Sequence, residues 1–217
     1  MIRLKNLLKE QVSISPEQEA WLDKCTGGSK ETKFGDRPTV GTRTWTADNQ
    51  GYVTVQGDFI FTGQGLTDFK GVKFKEVTGN FYCAKNKLTS LKGAPQTVGR
   101  SFVCSYNKLT SLEGAPQTVG RSFVCSNNNL TSLEGAPQTV GYNFNCSDNN
   151  LTSLKGAPQK VPENFVFNFN DSLESLEGAP KFVGGNFFWP VQMGTKADIK
   201  QELDYQNIKV LGGLYGS

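Results

Sequence analysis

Between residues 55 and 190 the chain repeats itself every 21 or 22 residues. The segments VGRSFVCSYNKLTSLEGAPQT (98–118) and VGRSFVCSNNNLTSLEGAPQT (119–139) are nearly identical. VTGNFYCAKNKLTSLKGAPQT (77–97) precedes them and VGYNFNCSDNNLTSLKGAPQK (140–160) follows. Divergent copies flank this block at 55–76 and 161–182, and a seventh begins at 183 and stops. One anchor column, Phe59, Phe81, Phe102, Phe123, Phe144, Phe165 and Phe187, advances in steps of 22, 21, 21, 21, 21 and 22. Self-similarity at such a period marks a solenoid, in which each repeat is one coil.

Within a coil the pattern is V-x-x-x-F-x-C-x-x-N-x-L-x-x-L. Phe and Cys alternate, so both point to one side of a strand. Leu109 and Leu112 suit the turn that follows, and Gly114, Ala115 and Pro116 suit a loop. A coil thus reads as a short strand, a turn and an irregular return. It cannot fold alone, because about five buried apolar side chains at ~1.5–3 kcal/mol each do not offset ~1–2 kcal/mol of backbone entropy per residue. Stacking supplies the missing burial. The expected fold is a right-handed solenoid with a parallel β-sheet of about seven short strands, roughly 30 Å long.

The wording F-x-C-x-x-N-x-L-T-S-L resembles the leucine-rich-repeat signature L-x-L-x-x-N-x-L. The Asn-x-Leu-Thr-Ser-Leu stretch followed by Pro is similar to the short-repeat class of bacterial secreted effectors. The resemblance covers about residues 55–190 and implies a leucine-rich-repeat solenoid. One departure is that Val98 lies four residues before Phe102, where that class has Leu three before, so the turn into each strand is expected to be one residue longer. The S-x-N-x-L-T-S-L-E-G-A-P wording is also similar to repeats of uncharacterised tailed-phage proteins, which implies a phage origin.

Four segments follow from this. Residues 11–54 form an N-terminal cap, 55–190 the solenoid and 191–217 a C-terminal cap and tail. In the first cap, Ser15, Pro16 and Gln18 announce a helix start. Residues 28–42 read as a linker, and 43–55 as a hairpin around Asp48-Asn49-Gln50-Gly51. In the second, Thr195 starts a helix over 196–205, residues 208–211 add an edge strand, and GGLYGS reads as a frayed tail. Residues 1–10, MIRLKNLLKE, are either a short frayed helix or resemble the capsid-targeting peptides of phage internal head proteins. Those peptides are cut after Leu-x-Glu, which implies cleavage at Glu10.

Composition narrows the chemistry. There is no histidine, which removes the commonest general base and metal ligand. Of five cysteines, Cys83, Cys104, Cys125 and Cys146 recur every 21 residues, unlike the close pairs of a zinc site. An odd cysteine count without a secretory leader suits free thiols in a reducing compartment. No apolar run is long enough to span a bilayer, and a net charge of +3 is too small to argue for nucleic acid. The expectation is a non-catalytic monomer without cofactor or metal, with no nucleic acid or membrane partner. It would bind a protein in the host bacterial cytoplasm or the virion; the alternative is a structural or internal virion protein packaged through its N-terminal peptide.

In a solenoid each repeat position becomes a column. The Cys column and the column Asn86, Asn107, Asn128, Asn149 and Asn170 read as scaffold. The threonine column, Thr89, Thr110, Thr131 and Thr152, reads as turn closure. Between Phe and Cys lies the outward column Ile60, Tyr82, Val103, Val124, Asn145, Val166 and Phe188. Its apolar members suit an interaction stripe, or record only the strand propensity of Val. Ser101, Ser105, Ser122, Ser126, Asn143 and Ser147 are its expected polar flanks. Arg100 and Arg121, with Lys85, Lys87 and Lys108, make a weaker basic feature. The candidate partner-binding residues are Tyr82, Val103, Val124, Val166, Phe188, Arg100, Arg121 and Lys108.

Overall fold

The computed structural model describes residues 14–26 and 44–217. The 1–10 peptide with Glu10 and the 28–42 linker lie outside the described residues. The described chain is a parallel β-solenoid of about seven coils.

Its first ladder carries the Phe anchors. Short strands Phe59–Ile60, Phe81–Tyr82, Phe102–Val103, Phe123–Val124, Phe144–Asn145, Phe165–Val166 and Phe187–Trp189 pair in parallel, Phe beside Phe. Successive rings stack inside: Phe81 and Phe102 lie 5.2 Å apart and Phe102 and Phe123 5.6 Å apart, both nearly parallel. Cys83, Cys104, Cys125 and Cys146 and both Leu columns are fully buried beside them.

The return segments are not wholly irregular. Each carries a second short strand: Tyr52–Val55, Lys73–Val77, Thr97–Val98, Thr118–Val119 and Thr139–Val140 form one parallel ladder. Lys160–Val161, Phe182–Val183 and Lys209–Val210 form another farther along. The four-residue spacing from Val98 to Phe102 is therefore a corner between two strands, and β-branched Val points inward from the first of them. The two 22-residue steps also have local causes. In the first coil the strand pairing slips between Val53 and Thr54, so Lys75 forms a bulge. In the sixth, the inserted residue makes a turn closed by the Leu173 N–H donating to the Asn170 carbonyl at 3.0 Å.

Asparagine ties the coils together. Asn128 Nδ2 donates to the carbonyls of Cys125 at 3.0 Å, Ser126 at 3.3 Å and, one coil back, Cys104 at 3.1 Å. Its Oδ1 accepts from the Leu109 N–H at 3.0 Å. Asn86, Asn107, Asn149 and Asn170 repeat the arrangement, so backbone groups left open at each turn are satisfied inside the protein. At Gln64, the first coil's equivalent, the side chain instead points its amide at Cys25 Sγ, 3.9 Å away. Gly156 shows the same crowding: its φ is +95°, and a Cβ there would collide with the Leu133 carbonyl of the coil before.

At the N-terminal end, helix α1 (Pro16–Cys25) begins with a capping box between Ser15 and Gln18. Its Trp21 lies 5.3 Å from the Phe59 ring and 5.4 Å from the Phe61 ring. Trp45–Ala47 pairs antiparallel with Tyr52–Val55, around a turn in which Asp48 Oδ1 accepts from the Gln50 and Tyr52 N–H groups. At the other end, α2 (Lys196–Tyr205) buries Ile199 and Leu203. The expected frayed tail is instead ordered. Leu214–Gly216 adds an eighth strand to the Phe ladder, with Leu214 beside Phe187 and Tyr215 beside Phe188. Gly212 permits this by fitting where the chain passes closely over Gly185, and Gly213 by leaving room for the Tyr215 ring.

Candidate interaction face

Parallel pairing turns the outward column into one row. Ile60, Tyr82, Val103, Val124, Asn145, Val166 and Phe188 are consecutive register partners, and Tyr215 extends the row past Phe188. Phe188 and Tyr215 stack with centroids 5.1 Å apart. The inner members are half-buried, because coils packed at strand spacing cover one another's flanks. Only the ends, Ile60 and Tyr215, are exposed.

The expected polar flanks are largely internal. Ser105, Ser126 and Ser147 are buried, and Ser126 Oγ donates to Ser105 Oγ at 3.0 Å. On the other side a second polar ladder closes the corner between the two sheets. The Asn80 N–H donates to Asp58 Oδ1, the Ser101 N–H to Asn80 Oδ1, the Asn164 N–H to Asn143 Oδ1, and the Asn186 N–H to Asn164 Oδ1. Ser101, Ser122 and Asn143 therefore belong to the scaffold. They satisfy backbone groups at a corner, and a one-strand reading of the coil has no such corner.

Two largely exposed columns border the row. One holds Arg100, Arg121 and Tyr142. The other lies between the Cys and Asn columns and holds Lys85, Tyr106, Asn127, Asp148 and Phe169, all with φ between +52° and +56°. Left-handed backbone costs an L-residue about 1–2 kcal/mol, least for Asn and Asp. Tyr106 and Phe169 occupy it nonetheless, and are 54% and 52% exposed. Lys85 Nζ sits 5.9 Å above the Tyr106 ring. Lys87 and Lys108 are exposed on the far side of the Asn column, on the turn rather than beside the row. The composition of the left-handed column hides it, because its residues share no type. Gly63 at the matching position of the first coil, with φ +70°, is the one hint.

The described cysteines are buried. Burial pushes the Cys83, Cys104, Cys125 and Cys146 thiols well above their ordinary value; the neighbouring Cys104 adds to this at Cys83. Burial raises Cys25 to about 11, against smaller lowering by the Gln64 hydrogen bond and by Lys24 and Lys70. These thiols are protonated at neutral pH, the opposite of a nucleophile. Among the described residues, no three His, Cys, Asp or Glu side chains converge as metal ligands, and no helix is long and apolar enough to cross a membrane. The threonine column is exposed, and Thr152 Oγ1 donates to the Thr131 carbonyl at 3.3 Å, as in a closed turn.

No protein-family model, curated protein or solved structure matches this chain. Its geometry therefore carries the functional argument.

Proposed function

We propose that the chain is a non-catalytic interaction module that presents the outer face of the Phe-ladder sheet to a protein. The observation that carries this reading is the pair Tyr106 and Phe169. Each exposes half its surface from a left-handed backbone position that Asn or Gly would hold at lower cost. Stability alone does not account for aromatics there, whereas Tyr, Phe and Arg are the residues that anchor protein interfaces. With Tyr82, Val103, Val124, Val166, Phe188 and Tyr215 between them and Arg100, Arg121 and Tyr142, they make a face three columns wide.

In this reading the coil is a variant leucine-rich repeat, supported by the F-x-C-x-x-N-x-L wording and by the asparagine that binds across coils. The protein is phage-encoded and acts in the bacterial cytoplasm or the virion, as its repeat wording suggests. The absence of histidine and the protonated thiols support a role without catalysis. The test is affinity capture from bacterial lysate with the wild type and with a Tyr82→Asp, Val103→Asp, Val124→Asp triple variant. Loss of a captured protein by the folded variant supports the face. An identical set of captured proteins removes it.

A further inference from the structure

At the N-terminal end the two sheets finish differently. The second sheet is extended by the antiparallel strand Trp45–Ala47, and Trp21 of α1 covers the aromatic core. Among the described residues no further strand pairs with Phe59–Ile60, the last strand of the Phe ladder. The N–H groups of Phe59, Phe61 and Gly63 donate to Asn80, Tyr82 and Ala84 in the next coil, at 2.8, 3.0 and 3.0 Å. Alternation turns the backbone groups of Ile60 and Thr62 the other way, out of the sheet. Ile60 is accordingly 45% exposed while the row members that follow it are half-buried. Folded proteins usually cover such an edge.

This edge borders a cleft of about 640 Å³ between the last turn of α1 and the first coils. Lys24 and Arg100 line it, together with Gly57, Asp58, Ile60 and Gly79. Gly57 and Gly79 precede Arg100 in its own column, so the two coils nearest the edge offer no side chain there, and Arg100 lines the cleft beside them. Among the described residues neither Lys24 nor Arg100 has an ion-pair partner, and Asp58 is engaged by the Asn80 backbone and side-chain amides.

We propose that this cleft binds an extended, carboxylate-bearing peptide segment by strand addition. The segment hydrogen-bonds to the open Ile60 and Thr62 backbone and sets an apolar or β-branched side chain beside Ile60. It places an Asp or Glu carboxylate between Lys24 and Arg100. This site adjoins the three-column face, sharing Arg100 and the row's end residue Ile60, but it is tested with defined peptides rather than a captured protein, so either reading can fail without the other.

Fluorescently labelled pentapeptides of alternating Val and Thr, with one Glu at each position in turn, would be titrated into the full chain, beside matching Lys peptides. At least one Glu peptide is expected to bind and to shift the Ile60 and Thr62 amide resonances, with its Lys counterpart at least about tenfold weaker. Ile60→Pro removes an edge donor that the native ladder does not use, and Lys24→Glu reverses one cation. Each is expected to weaken binding about tenfold or more, with Thr139→Asp, on the exposed side of the second sheet, leaving it unchanged. No Glu peptide binding at millimolar concentration, equal binding of Glu and Lys peptides, or unchanged affinity in folded Ile60→Pro and Lys24→Glu would each overturn the proposal.

Discussion

The side-chain oxygen of Asn128 lies 3.0 Å from the backbone nitrogen of Leu109, in the coil before it. With the Asn128 amide bonded to Cys104 and Cys125 carbonyls, one buried side chain holds two turns. Asn128→Ala leaves these groups without partners, so it is expected to cost about 3 kcal/mol in urea unfolding. Asn129→Ala, at an exposed neighbour, is expected to stay within about 0.5 kcal/mol. Similar values for the two would remove the ladder from the account.

Gly156→Ala is expected to destabilise by about 2–4 kcal/mol, because the Cβ meets the Leu133 carbonyl and φ is +95°. Thermal unfolding of the variant measures this directly.

Trp21→Ala removes the ring lying against Phe59 and Phe61. A loss of about 3–5 kcal/mol is expected, with faster hydrogen exchange concentrated in the first coils. A small loss spread evenly along the solenoid would mean that α1 does not protect its end.

Buried thiols give the protein an alkaline weakness. Their folded pKa values lie above the ordinary 9.0, so the native state keeps protons that the unfolded state releases. The stability they contribute is fully present below about pH 9 and is lost as pH rises above it. Cys125→Ala is expected to lower the alkaline slope of stability by about 1.4 kcal/mol per pH unit. In the same way, native Cys83, Cys104, Cys125 and Cys146 should resist alkylation at pH 8 and react on unfolding.

The strained aromatics give a prediction in which stability and binding part ways. Tyr106→Asn places at this position the residue type that Asn127 supplies one coil later, at φ +55°. Stability should be unchanged or raised by up to about 1 kcal/mol, while partner capture falls. A loss of stability would mean that Tyr106 serves the fold.

What could be read from the sequence follows from how the signals differ. Phe102, Cys104, Asn107 and Leu109 hold one chemical type across most coils, so their columns and inward burial were legible. The Thr97–Val98 strand was not, because two residues are too few to show alternation. The Ser101 and Ser105 columns contain small polar residues that suit solvent and corner alike, and only the second ladder makes them internal. Tyr106 and Phe169 share a backbone conformation rather than a residue type. Tyr215 was missed because its Gly-rich surroundings imitate a frayed end, when Gly212 allows close passage over Gly185 and Gly213 makes room for the Tyr215 ring.

Docking of a partner on the Phe-ladder face can be located by cross-linking. A photoreactive amino acid would be placed at Tyr106, on that face, and separately at Thr97, on the exposed outer side of the second sheet. A discrete protein adduct is expected from position 106 that is absent from position 97 and is lost when Tyr82 and Val103 are changed to Asp. Adducts of equal yield from both positions, or only from position 97, would contradict docking on that face.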